Sequence, residues 1–173
     1  ASFSGGSGIA VAVASPAYQE LCVDRATAAL PQGAPGTNTL FTVTGGPIEI
    51  VSLLGEVTTA IQAQACNLKL SYDSTNGTAG DLCANFDINA DLIGSVYTIN
   101  GIFADTLQRG ADGVGFVAPL NVPAVDTSAI TAGPLVIVAP GILTATTDAN
   151  NTGSVRWSLR YKPLSPASRV VAN

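Results

Sequence analysis

Asp87, Asn89 and Asp91 place three oxygen donors at alternate positions, as a calcium-binding loop begins. Leu92 stands where such a loop needs glycine and Thr98 where it needs a bidentate glutamate, so the preferred reading is the wet edge of a strand opposite Phe86 and Ile88. Asp73, Asn76 and Asp81 surround an Asn76-Gly77 pair, a combination that satisfies a tight turn without a ligand. Glu49 and Glu56 are the carboxylates to consider for glycoside cleavage, but Glu49 lies in an apolar segment; salt bridging or subunit contact is the expectation. Arg156, Arg160 and Lys162 alternate along one strand face, which suits either a solvated face or an acidic protein partner.

The chain contains no histidine. Ser-His-Asp and Cys-His devices are therefore excluded, together with the usual general base near neutral pH. The glycines of Gly5-Gly6-Ser7-Gly8 and Gly45-Gly46 are not followed by the Lys-Ser/Thr of a phosphate loop, so they read as linker and turn. Cys22, Cys66 and Cys83 fit neither a zinc pattern nor a CxxC pair. Free thiols are expected, with a Cys66–Cys83 bridge as the alternative. No catalytic residue, metal site or cofactor is assigned, and the chain is not read as an enzyme.

Only 11 % of the 173 residues are charged, against about 25 % in an ordinary globular domain, while 47 % are hydrophobic. A chain so poor in charge is expected to have much of its surface covered by neighbours. Seven basic residues against twelve acidic ones leave a net charge of −5, which offers no polybasic footprint for nucleic acid or an anionic membrane. No apolar run approaches the ~18 residues of a membrane span. The stretch Ile9 to Ala14 is too short for a signal-peptide core, which makes synthesis in a cytoplasm the expectation. Asn76-Gly77-Thr78 and Asn150-Asn151-Thr152 match the glycosylation pattern but carry no weight without export.

The elements positioning these residues are strands. Leu40–Thr44, Ile48–Leu54, Glu56–Ala63 and Asn67–Tyr72 are separated by Gly45-Gly46-Pro47, by Gly55 and by a bend near Cys66. Phe86–Asn89, Ser95–Ile99, Pro134–Ala139 and Gly141–Thr147 follow; the last is expected to form a long-tipped hairpin with Ser154–Lys162. In that final strand Val155, Trp157, Leu159 and Tyr161 alternate with the cations. The irregular stretch Ala104–Ala132 is expected to make contacts between subunits. The fold expected is all-β, a single sandwich or jelly-roll-like domain over 39–163. An arm over 1–38 and an extended tail over 164–173 flank it. Within the first arm, Ser15-Pro16 and the spacing of Tyr18, Leu21, Cys22, Arg25, Ala28 and Ala29 leave a short helix and an extended segment both open.

Two segments carry a family resemblance. Thr39-Leu40-Phe41-Thr42-Val43-Thr44-Gly45-Gly46-Pro47-Ile48-Glu49-Ile50, continuing through Leu54-Gly55-Glu56-Val57-Thr58-Thr59-Ala60-Ile61-Gln62-Ala63, resembles a segment of virion structural proteins of tailed bacteriophages. Gly153-Ser154-Val155-Arg156-Trp157-Ser158-Leu159-Arg160-Tyr161-Lys162-Pro163-Leu164 resembles their closing motif, and with Asp81-Leu82-Cys83 to Tyr97 the similarity spans about Thr39 to Pro163. The resemblance implies a virion component, and the low charge and missing enzyme motifs fit a capsid decoration, or cement, protein. It also implies a β-sandwich or jelly-roll body with arms reaching across neighbours. The partners implied are the major capsid protein and further copies of itself, as a homotrimer on the capsid exterior. A tail, neck or head-fibre component is the alternative; an adhesion or carbohydrate-binding module would need more exposed aromatic side chains.

Overall fold

Alternating apolar and polar residues bury one face of each strand, and two such half-buried sheets bury each other. The computed structural model of the chain describes residues 19–99, 105–109 and 135–173. Numbered in chain order, the strands are β1 (Leu21–Ala29), β2 (Gly36–Thr44), β3 (Ile48–Thr59), β4 (Asn67–Ser74), β5 (Gly80–Asp81) and β6 (Phe86–Asp87). After them come β7 (Val96–Thr98), β8 (Gln108–Arg109), β9 (Leu135–Ile137), β10 (Gly141–Thr147), β11 (Ser154–Pro163) and β12 (Arg169–Ala172). The protein is all-β, a sandwich of two antiparallel sheets. One has the order β1-β11-β3-β7-β8 with β9 also on β3; the other has the order β12-β2-β10-β4-β5 with β6 also on β4. Its core includes Leu53, Val57, Trp157, Leu159 and Tyr161 from the first sheet and Phe41, Val43, Leu68, Leu70 and Leu143 from the second.

Several expectations are corrected. Of the two forms left open for Leu21–Ala29, the extended one holds: it is a strand that pairs with β11 from Leu21↔Tyr161 to Ala29↔Ser154, satisfying amides that β11 would otherwise leave open. Residues 19–38 and 164–173 are therefore not free arms. Leu30 and Val170 lie in the core, and β12 pairs with β2 from Arg169↔Thr44 to Ala172↔Phe41. The rest of the expected N-terminal arm, residues 1–18, lies outside the described residues, as does most of the Ala104–Ala132 stretch.

Gly55 does not divide two strands. It lies inside β3 opposite Trp157, and a Cβ built there would stand 2.7 to 2.9 Å from three carbons of the indole ring. The glycine is thus a packing residue that lets the ring lie against the backbone. Nor do β10 and β11 form a hairpin. Each is central in a different sheet, β10 between β2 and β4 and β11 between β1 and β3, and residues 148–153 cross between the layers. Asn151, buried, fixes that crossing: its Nδ2 donates to Gln62 O at 3.3 Å and Gln64 O at 3.1 Å, and its Oδ1 accepts from Gln62 N at 3.1 Å.

Gly55→Ala is expected to destabilise the protein by about 1–3 kcal/mol in a denaturant titration, because the methyl must displace the Trp157 ring. Gly80→Ala, where an added Cβ meets nothing within 4 Å, is the control and should leave the midpoint nearly unchanged.

Candidate protein-contact surfaces

The two outward sheet faces differ in character. On the outer face of the first sheet, β11 carries Arg156, Ser158, Arg160 and Lys162. Arg156 sits opposite Glu56 and Lys162 opposite Glu49 in the β3 register, and both form ion pairs, Lys162 Nζ lying 3.4 Å from Glu49 Oε1. Arg160 pairs with Glu20, next to β1. Ser158 donates to Asp24 Oδ1 at 2.5 Å. The two glutamates are thus ion-pair partners, as expected, and the cationic stripe is neutralised inside the chain rather than left for an acidic partner.

The outer face of the second sheet carries a row running Val171, Thr42, Ile142 across β12, β2 and β10. Val171 is 55 % exposed and Ile142 37 %. A second row sets Thr37 against Thr146, their hydroxyls 3.0 Å apart. This face is hydroxyl-rich and partly apolar. Charge collects at its β4–β5 end, where Asp81 accepts from Ser71 Oγ at 2.7 Å and pairs with Lys69 at 3.0 Å. Those two contacts, the serine hydrogen bond foremost, hold the Asp81 carboxyl below its ordinary 3.8. Asp148, bonded by the side chain and backbone N–H of Asn67, both at 2.7 Å, is lowered likewise. Further exposed apolar side chains are Leu92 and Ile93, before β7, and Val136 and Val138, at β9.

The acidic run 87–91 has structural duties. Asp87 Oδ1 accepts from the backbone N–H of Cys66 at 3.3 Å and of Asn89 at 3.1 Å, closing the bend between β6 and β4. Asp91 is fully buried, paired with Arg109 and accepting from Tyr97 Oη at 2.5 Å. The Arg109 guanidinium also lies 5.4 Å above the Phe86 ring. Sequence reasoning missed this cluster. Arg109 follows in a glycine-rich stretch, and nothing local to it announces a buried partner eighteen residues away.

Of the thiols, Cys22 is exposed, Cys66 and Cys83 are buried, and all three are free. Burial pushes the Cys66 and Cys83 thiols up, away from nucleophilic or metal-binding character. Burial likewise raises Tyr72, whose hydroxyl donates to Ala139 O at 2.6 Å, to about 12. Between the sheets, near Arg25 and Trp157, lies a cavity of about 10 Å³, room for one water. Among the described residues no group of three or more His, Cys, Asp or Glu side chains is placed to hold a metal ion, and no helix is long and apolar enough to cross a membrane. Comparison with protein-family models, with curated proteins and with solved structures finds no match to this chain.

Asp91→Asn strands Arg109 over a buried amide and is expected to cost about 2–3 kcal/mol, the range for breaking a buried pair reduced because the Arg109 side chain keeps 32 % exposure. Arg156→Gln, in an exposed pair, should change stability by no more than about 0.5 kcal/mol in the same titration. Because Asp81 and Asp148 titrate lower when folded, their stabilisation is complete above the unfolded value and is lost as the pH falls through the folded ones. Melting temperature should therefore drop below about pH 4, and the Asp81→Asn, Asp148→Asn double variant should show a shallower drop.

Proposed function

We propose that this chain is a structural component of a tailed-bacteriophage virion, and specifically a decoration protein that binds the outer surface of the icosahedral shell as an oligomer. The observation that carries the reading is the character of the two outer sheet faces. One has its charges neutralised internally, and the other carries the exposed Val171–Thr42–Ile142 row between hydroxyl groups. Such faces suit broad protein contact of moderate strength, multiplied over a symmetric ring. The 10 Å³ cavity, by contrast, admits no small-molecule substrate.

The low charge of the chain supports the same reading, since surface covered by a neighbour needs few solvating charges. So does the place of the residues that carry the family resemblance. Residues 39–63 and 153–164 fall on β2 of one sheet and on β3 and β11 of the other, where β3 and β11 are neighbours paired from Ser154↔Thr59 to Pro163↔Ile48.

Quantitative mass spectrometry of purified virions is expected to find this chain at a fixed, high ratio to the major shell protein. A few copies per particle would move it to the tail, neck or head fibres, and absence from the particle would end the virion reading.

A further inference from the structure

All seven basic side chains of the protein fall within the described residues. Lys69, Arg109, Arg156, Arg160 and Lys162 are in ion pairs. Arg169 donates to the carbonyls of Pro166 and Ser168. Arg25 differs from all of these: its Nε is buried and has no hydrogen-bond partner among the described residues, and none of their carboxylates pairs with it. In register it stands opposite Trp157, so it lies on the inward face of β1, at the rim of the sandwich beside the water-sized cavity. Desolvation there lowers its guanidinium below the ordinary range.

The backbone beside it is also incomplete. Among the described residues β1 is the last strand of its sheet, paired with β11 alone. Leu21–Arg25 pairs in regular register and contains no proline, and the register shift comes only between Arg25 and Ala28. A strand added to that edge would place one residue opposite Arg25 and on the same face.

We propose that the free edge of β1 takes up an extended acidic peptide segment of another protein, with a carboxylate opposite Arg25 completing the ion pair. A second copy of β1 does not meet this need. Antiparallel pairing about a two-fold axis puts Leu21, Val23 or Arg25 itself opposite Arg25, and none of them is acidic. The proposal stands independently of the virion reading, and its test uses the isolated full chain.

The probe is an acetylated, amidated Thr-Val-Glu-Val-Thr peptide, with its Gln analogue as control, titrated into nitrogen-15-labelled protein. Saturable amide shifts confined to β1 and its surroundings are expected, with affinity about tenfold weaker for the Gln peptide and for Arg25→Met. Arg25→Met should melt at or above the wild-type temperature, because it removes a buried donor that has no partner. Equal affinity for the two peptides, shifts elsewhere or none up to the solubility limit, or a lower melting temperature for Arg25→Met would each overturn the proposal, the last by making Arg25 a structural residue.

Discussion

Much of this sandwich depends on where the Trp157 ring lies. The chain has one tryptophan, and its indole rests against the backbone of β3 at Gly55, where a Cβ would come within 3 Å of the ring. That approach ties the central strands of the first sheet at mid-length, and the ring continues through Tyr97, centroids 6.5 Å apart, to Phe86, 6.3 Å further on. Phe86 belongs to the other sheet and carries the Arg109 guanidinium, which in turn meets buried Asp91. A single glycine thus sets the start of a packed chain linking both layers to the one fully buried carboxylate described here.

Charge is used sparingly and mostly internally. Three cations on β11 are consumed by Glu20, Glu49 and Glu56, which removes the feature that would most readily have suggested an acidic partner. Away from the charged β4–β5 end, what reaches solvent on the opposite face is mainly hydroxyls and the aliphatic Val171 and Ile142. Such a surface contributes little long-range steering and gains from area and shape. Arg25 is the exception, the one cation whose Nε is buried without a hydrogen-bond partner among the described residues.

The sequence showed the β-sandwich because the alternation in β4 and β11 is strict: Leu68, Leu70 and Tyr72 inward, and Val155, Trp157, Leu159 and Tyr161 inward with cations between them. It also gave the bounds of Gly141–Thr147 as they stand, and the pairing role of Glu49 and Glu56. It left Leu21–Ala29 open, because three-four spacing of small residues suits a helix as well as a strand. Only the open edge of β11 resolves that choice. It placed a break at Gly55 because a glycine between apolar runs looks the same whether it turns the chain or makes room for a ring.

By itself, then, the sequence determined the period of strands such as β4 and β11, the absence of histidine chemistry and a surface short of charge, since all three are properties of residue type and local spacing. Tertiary structure decided which layer each strand joins, that residues 148–153 cross between sheets under the hold of Asn151, and that Asp91 meets Arg109 while Arg25 meets no carboxylate among the described residues. Those outcomes depend on pairings between residues far apart in the chain. Local alternation fixes which side of a strand is buried and leaves open which strand lies beside it.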